Sequence, residues 1–260
     1  MLTSLQNPLV KHIRKLHQAK GRRSCGQFLL EGTHLVQEAA LAGYPLEVVC
    51  CTPAWEERYP TLRQELETYA PRLETVTPEV LAAIATTVHP DGVAAIAPHR
   101  SSHIEFPSEL SLGIVAETLQ DPGNLGTLIR SATAAGADGL WLSSDSVDPE
   151  HPKVLRASAG QWFRFPVQTH PDLASQVQQW RQAGIQVLGT STQGAVDYWT
   201  VDFRPPTVIV LGNEGAGLSP AMLEHVSQNV RIPVAPAVES LNVAIAATLL
   251  LYEALRQRRE

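Results

Sequence analysis

The stretch LGIVAETLQDPGNLGTLIRSATAAGADGLWL, residues 112–142, decides the fold of this chain. It begins and ends with short apolar runs, residues 112–116 and 139–142, and between them apolar side chains recur at helical spacing from Leu125 to Gly136. Both runs are apolar on both faces, which is typical of strands in a parallel sheet covered by helices. The stretch therefore predicts a strand, a crossover helix and a second strand parallel to the first.

The rest of the C-terminal half repeats this alternation. Further apolar runs predict strands at residues 185–188, 208–211 and 230–234. Helical spacing predicts helices at residues 173–183, 221–226 and 241–256. We therefore expect one α/β domain over residues 112–260, with ligands bound at the carboxyl ends of its parallel strands.

Residues 1–98 have the pattern of a smaller α/β domain. Asn7 and Pro8 predict the cap and the first residue of a helix. Strand-like segments then alternate with helical ones, at residues 28–30, 33–42, 46–51, 62–69, 78–85 and 93–97. Residues 99–111 show no sustained periodicity and predict a linker between the two domains.

Positive charge is concentrated at the start of the chain. The net charge is −6, yet the first 30 residues contain no acidic residue and six basic ones: Lys11, Arg14, Lys15, Lys20, Arg22 and Arg23. Such asymmetry suggests a segment that contacts a polyanion. A solvated helix face explains the charge pattern equally well.

Composition excludes several classes of protein. No apolar run is long enough to span a membrane, and the start of the chain lacks the apolar centre of a secretory signal, so we expect a cytoplasmic protein. Cys25, Cys50 and Cys51 form no CxxC pair, which favours reduced, buried thiols. The nine histidines are scattered, so we expect no metal.

Three loops after predicted strands carry the polar residues of the larger domain. In the first loop, Asp121 can cap the helix and place Asn124 and Arg130 on its flanks, where they suit an anionic or phosphate-bearing ligand. Taken alone, this loop is better explained as a capped surface helix with a solvated arginine.

The second and third loops combine flexible backbone with polar side chains. Residues 212–217 place three glycines around Glu214, so the backbone can approach a ligand closely, although a plain tight turn is the alternative. Ser240 stands at the start of the last predicted helix with Asn242 beside it, where free N–H groups can bind a carboxylate or a phosphate. Helix capping is the alternative there, and it fits Ser240 better than Asn242.

These loops resemble the three motifs of the SpoU/TrmH group of SPOUT methyltransferases. Residues 124–130 match the first motif and residues 212–215 the second, while Ile232-Pro233 and residues 239–242 match the third. The segment from Arg156 to Gly160 is also similar to a family segment. Residues 4–8 and 28–32 look like the substrate-binding domain of this group, which has a ribosomal-protein-like RNA-binding fold.

The resemblance implies an activity and an assembly. It implies a methyltransferase that moves the methyl group of S-adenosylmethionine to a ribose 2′-hydroxyl of ribosomal or transfer RNA, and ribosomal RNA is favoured. It also implies a C-terminal trefoil knot, although knots are rare in proteins. The active site of a homodimer would lie near that knot.

The functional residues of the family carry over position by position. Contacts with S-adenosylmethionine are implied for Leu211, Gly212, Glu214, Gly215, Ile232 and Leu241. The catalytic group would be Asn124, Arg130, Glu214, Ser240 and Asn242. RNA contacts are expected at Lys11, Arg14, Lys15, Arg22, Arg23 and Arg156. Members usually have glycine where this chain has Pro236, whose ring fixes φ and removes an N–H beside the cofactor loop.

By the resemblance, Arg130 is the family's usual candidate for handling the hydroxyl proton. A guanidinium stays protonated in nearly any protein, so we hypothesise that Arg130 binds a phosphate of the nucleotide and orients or acidifies the hydroxyl. A phosphate or a water molecule would then take the proton.

Two other functions compete with this interpretation. A nicotinamide-dependent dehydrogenase needs G-x-G-x-x-G, but Gly215 and Gly217 are followed by Pro220 where the third glycine should stand. A catalytically inactive RNA-binding relative is the second alternative. The presence of four motif residues argues against it: Asn124, Arg130, Glu214 and Asn242.

Overall fold

The structure is a computed structural model that describes residues 1–99, 104–193 and 196–259. Residues 100–103, part of the linker predicted at 99–111, lie outside the described residues. The described residues fall into two compact units. The first unit contains those between 1 and 103 together with Glu150–Arg164, and the second contains the rest.

Strands and helices alternate along most of the chain. The strands are β1 Gln27–Glu31, β2 Val48–Cys51, β3 Leu73–Thr75, β4 Val93–Pro98, β5 Leu112–Ala116, β6 Gly139–Ser143, β7 Val167–His170, β8 Gln186–Thr190, β9 Val196–Asp197, β10 Thr207–Leu211 and β11 Gln228–Arg231. The α-helices are α1 Pro8–Lys15, α2 Ala19–Cys25, α3 Thr33–Leu41, α4 Pro53–Arg58, α5 Pro60–Tyr69, α6 Pro78–Ile84, α7 Pro122–Ala134, α8 Pro152–Ala157, α9 Leu173–Gln182, α10 Pro220–Leu223 and α11 Val243–Arg259.

The first unit is built on a four-stranded sheet in the order β1-β4-β2-β3. Strand β4 runs antiparallel to β1 and β2, and β3 runs parallel to β2. Helix α1 begins at the predicted cap, because the side chain of Asn7 accepts a hydrogen bond from Leu9 N at 2.8 Å and Pro8 follows it. It buries Val10 and Ile13 in a core shared with α6 and the sheet.

Glu150–Arg164 lies within residues 112–260 by sequence but packs in the first unit. The buried ring of Trp162 lies 5.2 Å from the ring of Phe28 and 5.8 Å from that of Tyr44, measured between centroids. Aromatic rings at this spacing attract one another and exclude water. These contacts explain why a segment distant in sequence belongs to the first unit.

The cysteines are free thiols, and Cys50 and Cys51, at the end of β2, are buried. Burial is the main cause that raises the pKa of each of these two thiols to about 12. Cys25 is half-buried. The expectation of buried thiols is therefore confirmed for Cys50 and Cys51.

The second unit is built on a seven-stranded sheet in the order β7-β6-β5-β10-β8-β11-β9, whose neighbouring strands run parallel. The predicted parallel α/β fold is thus confirmed. The central strands β5 and β10 are buried along their whole length, and β5 has the predicted bounds. The sequence did not predict β7 and β9, because both lie at the edges of the sheet and lack a continuous apolar run.

The last segments differ from their predicted bounds. Strand β11 ends at Arg231 and α11 begins at Val243, so residues 232–242 form neither helix nor strand. Helix α11 packs against α7, which follows β5. No helix among the described residues is both long and apolar enough to span a bilayer.

Candidate functional site

Three segments of the second unit meet at the carboxyl ends of β5 and β10. They are the segment from β5 into α7, the loop that follows β10, and the segment that enters α11. One chain of side-chain hydrogen bonds joins all three. The Asn242 amide nitrogen donates to Asn124 Oδ1 at 2.8 Å, and the Asn124 amide nitrogen donates to Glu214 Oε1 at 3.2 Å. The structure therefore brings together three of the predicted catalytic residues.

Asn124 is held by the start of α7. Asp121 caps this helix as predicted, since its Oδ1 accepts from Gly123 N at 2.6 Å and from Asn124 N at 3.0 Å. Pro122 occupies the first helical position. With its backbone fixed by the cap and its side-chain amide bonded at both ends, Asn124 has one defined orientation.

Asn242 caps α11, and this corrects the expectation that Ser240 begins the helix. Asn242 Oδ1 accepts from Ala244 N at 3.0 Å and from Ile245 N at 3.3 Å. Ser240 lies two residues before the cap, is exposed, and makes no side-chain hydrogen bond to any described residue. The sequence pattern favoured Ser240 because serine and asparagine are equally good caps, and only the position of the first turn distinguishes them.

Glu214 stands at the tip of the glycine-rich loop and is exposed. Besides the bond from Asn124, its carboxylate accepts long hydrogen bonds of 3.4 Å from the backbone nitrogens of Gln120 and Asp121. These donors precede α7, where backbone N–H groups favour a negative charge. The carboxylate is thus oriented by weak contacts and remains open to a ligand.

The loop after β10 is a closed turn. Asn213 N donates to Gly217 O at 3.0 Å, and Gly217 N donates to Asn213 O at 2.9 Å. The side chain of Asn213 accepts from Gly215 N and Ala216 N inside the turn. The turn has two limbs, residues 212–213 and residues 217–219. A Cβ built on Gly212 would lie 2.2 Å from the carbonyl carbon of Gly217, so the two limbs approach closely only because residue 212 is glycine.

Arg130, like Ser240, is a predicted catalytic residue that the structure leaves apart from this hydrogen-bonded chain. It lies on α7, its side chain is exposed, and no described residue forms a hydrogen bond or an ion pair with it. The guanidinium is therefore available to a ligand phosphate.

The residues predicted to contact S-adenosylmethionine lie in two segments of the second unit. These are the end of β10 with the loop after it, which holds Leu211, Gly212, Glu214 and Gly215, and the segment between β11 and α11, which holds Ile232 and Leu241. Leu211 and Gly212 are buried, Ile232 and Leu241 are half-buried, and Gly215 is exposed. Apolar residues together with the carboxylate of Glu214 suit a cofactor that combines an apolar ring system with a sulfonium cation. The residues of these segments therefore fit this cofactor.

Sequence reasoning missed a hydrogen-bonded group beneath these loops. Thr118, the second residue after β5, has a φ of 54°, which a β-branched residue rarely adopts. Its hydroxyl donates to Asp145 at 2.8 Å, and its carbonyl accepts from Asn213 at 2.9 Å. Hydrogen bonds from Ser143 and Thr118 lower the pKa of Asp145. No sequence signal marks such a threonine, since glycine is the residue that normally indicates a left-handed angle.

The predicted RNA-contacting residues divide into two groups. Lys11, Arg14 and Lys15 are exposed on α1, and we name them the basic face of α1. Arg23 on α2 is exposed as well.

Arg22 and Arg156 are engaged inside the first unit. Arg22 is buried and donates to the carbonyl oxygens of Leu16 at 3.0 Å and His17 at 3.2 Å, the two residues that follow α1, so its guanidinium binds backbone of the first unit. Arg156 pairs with buried Glu31 at 3.1 Å and donates to Thr86 at 3.0 Å. Within the described ranges, no group of three or more metal-ligating side chains converges.

Comparisons with known proteins agree with this geometry. The family model described as the SpoU rRNA Methylase family matches residues 111–252, and the MRM3-like substrate binding domain matches residues 7–95. A Synechocystis protein described as an uncharacterised tRNA/rRNA methyltransferase is 46% identical over 99% of this chain and 94% of its own length. The 23S rRNA (guanosine(2553)-2'-O)-methyltransferase RlmP of Bacillus subtilis is 34% identical over 96% of this chain and 97% of its own. The crystal structure of the AdoMet-bound rRNA methyltransferase from Sinorhizobium meliloti has a TM-score of 0.85 and 33% identity, over 98% of this chain and 97% of that one.

Proposed function

This chain belongs to the SpoU rRNA methylase family and is an S-adenosylmethionine-dependent RNA ribose 2′-O-methyltransferase, and on that premise we propose that its substrate is ribosomal RNA in the cytoplasm. The observation that supports methyl transfer at this site is the hydrogen-bonded chain Asn242–Asn124–Glu214 at the loop after β10, and the choice of ribosomal RNA follows a relative named for it. The hydrogen-bonded chain places a fixed amide and an open carboxylate where three motif segments meet. Family membership also predicts a trefoil knot in the second unit.

The reaction needs alignment and the removal of one proton. Bound S-adenosylmethionine supplies an electrophilic methyl group on a sulfonium sulfur, and the ribose oxygen forms a bond to that carbon as the sulfur–carbon bond breaks. Leu211, Gly212, Ile232 and Leu241 would hold the cofactor. Glu214, the nearby carboxylate, would stabilise positive charge at the site.

Arg130 and Asn124 would position the nucleotide. The guanidinium of Arg130 has no partner among the described residues and would bind an RNA phosphate through two parallel hydrogen bonds. Because it stays protonated, it would orient the 2′-hydroxyl rather than accept its proton. A phosphate oxygen or a water molecule would take the proton.

The basic face of α1 supports RNA as the macromolecular substrate. Its three cations are exposed on one helix of the first unit, and the unit matches a substrate-binding domain. Such cations bind the phosphate backbone with little regard to base sequence. The choice of ribosomal over transfer RNA follows the relative from Bacillus subtilis, which is named for 23S rRNA.

A second copy of this chain is the proposed protein partner. Ile245, Leu249 and Tyr252 expose 50%, 38% and 48% of their surface and recur at helical spacing on α11. An exposed apolar stripe on a helix beside the site is typical of an interface between subunits. Light scattering should find a dimer for the unmodified chain and a monomer for Leu249→Asp. A monomeric mass for the unmodified chain would contradict the proposal.

Methyl transfer from labelled S-adenosylmethionine to unmodified total RNA tests the function. We expect a labelled 2′-O-methylnucleoside that co-fractionates with large ribosomal RNA. Label in the transfer RNA fraction would refute the substrate. Calorimetry run in parallel distinguishes an active enzyme from an inactive RNA-binding relative, because the inactive relative would neither bind the cofactor nor transfer label to RNA.

A further inference from the structure

A carboxylate outside the motifs holds the glycine-rich loop at its far end. Glu117 lies directly after β5, and its two oxygens each accept one hydrogen bond from Ser219: Oε2 from the backbone nitrogen at 2.8 Å and Oε1 from the hydroxyl at 2.6 Å. The Ser219 hydroxyl in turn accepts from Met222 N at 3.1 Å, at the start of α10. Glu117 therefore fixes the point at which the loop enters the next helix.

Glu117 and Glu214 make reciprocal contacts between the same two segments. Glu117 reaches from the segment before α7 to the end of the loop, and Glu214 reaches from the loop back to Gln120, Asp121 and Asn124. The bonds to Glu117 measure 2.6–2.8 Å and those to Glu214 measure 3.2–3.4 Å. Charge-assisted bonds of the shorter length are the stronger ones, so Glu117 is the fixed anchor and Glu214 the adjustable end.

The close approach of the two limbs transmits the position of Ser219 to the site. Gly212 has space for no Cβ, because Gly217 and Leu218 backbone atoms lie 2.2–2.5 Å from where it would be. A shift of the limb that ends at Ser219 toward Gly212 meets its backbone directly, and a shift away from Gly212 stretches the two backbone hydrogen bonds between Asn213 and Gly217. The backbone of Glu117 adds a second tie, since its nitrogen donates to Leu211 O at 2.9 Å.

We propose that Glu117 is a positioning residue. Its carboxylate sets the distance between the two limbs of loop 212–219 and thereby the affinity for S-adenosylmethionine. The inference rests on the proposed role of this loop in cofactor binding. Glutamine at position 117 keeps the shape of the side chain but removes its negative charge: its carbonyl can still accept from Ser219 N, whereas its NH₂ group must donate to the Ser219 hydroxyl instead of accepting from it. Both hydrogen bonds then lose their charge assistance, so the limb at Ser219 should be held less tightly.

Calorimetric titration of S-adenosylmethionine into the full chain tests the proposal, with Glu117→Gln compared with Glu109→Gln. Glu109 is an exposed carboxylate of the same unit and serves as the matched control. We expect Kd to rise about tenfold for Glu117→Gln and to stay unchanged for the control. Ser219→Ala should weaken binding by itself and should add less in the Glu117→Gln background than in the unmodified chain, because both changes weaken the contact between residues 117 and 219.

Hydrogen exchange on the cofactor-free protein separates positioning from folding. Glu117→Gln should speed exchange at residues 212–219 and leave β5 and β10 protected as in the control. A Kd within about twofold of the control would overturn the proposal, as would a loss of protection throughout β5 and β10. If the unmodified chain bound no cofactor, the proposed function itself would fall and the role of Glu117 with it.

Discussion

Replacing Gly212 with alanine should open the loop after β10 by a distance that the structure fixes. The new Cβ would lie 2.2 Å from the carbonyl carbon of Gly217, and an ordinary van der Waals contact begins at 3.4 Å, so the limbs must separate by about 1.2 Å. The two backbone hydrogen bonds between Asn213 and Gly217, now 2.9 and 3.0 Å long, would then exceed any hydrogen-bonding distance. Losing both should cost about 1–3 kcal/mol.

This cost should appear as a loss of cofactor affinity. We expect calorimetry to give a Kd for S-adenosylmethionine about 10- to 100-fold above that of the unmodified chain. Gly217→Ala is the comparison variant, because φ there is +72° but a Cβ would meet nothing within 4 Å. It should cause only the smaller strain of a left-handed alanine, about 1–2 kcal/mol at most. Unaltered affinity of Gly212→Ala would refute the reasoning, since it would mean that the loop opens without consequence for the cofactor.

Further outcomes follow from single groups. Arg130→Lys should keep cofactor affinity but lose most methyl transfer, because an ammonium lacks the planar fork that binds phosphate; near-normal turnover would exclude that role. Charge reversal of the basic face of α1 should lower the salt dependence of RNA binding. The slope of the logarithm of the binding constant against the logarithm of the salt concentration should become less steep by about 0.9 for each duplex phosphate that the helix no longer neutralises. Arg22→Ala should leave this slope unchanged and lower the free energy of unfolding by about 1–3 kcal/mol, measured by urea denaturation, because buried carbonyl groups lose their donor. Because burial raises the pKa of Cys50 and Cys51 from 9.0 to about 12, the unfolded chain ionises first, so the free energy of unfolding should fall as pH rises above 9.0; thiol labelling of the folded chain at about pH 8 should not reach these two residues.

Local patterns in the sequence determined the framework of the second unit. Strands β5 and β10 were predictable because both are buried on both faces and carry uninterrupted apolar runs. The caps at Asn7 and Asp121 were predictable because a capping side chain acts on backbone two or three residues away. Edge strands β7 and β9 were not, since partial exposure removes the run that would mark them.

The candidate site was predictable as a set of residues but not as an arrangement. The motif resemblance selected Asn124, Glu214 and Asn242, and the structure joins these three in one hydrogen-bonded chain. It did not distinguish Asn242 from Ser240 as the cap of α11. The charge pattern likewise grouped Arg22 with exposed cations, although the fold buries it.

The sequence by itself determined where apolar runs form strands, where short-range caps start helices, and which motif residues the chain carries. Only the tertiary structure decided that Arg22 is buried, that Glu150–Arg164 packs in the first unit, and that Glu117 holds Ser219. Glu117 and Ser219 are separated by 102 residues, so no local periodicity relates them. Such contacts depend on the order of parallel strands in the sheet, because that order determines which loops meet at the carboxyl edge.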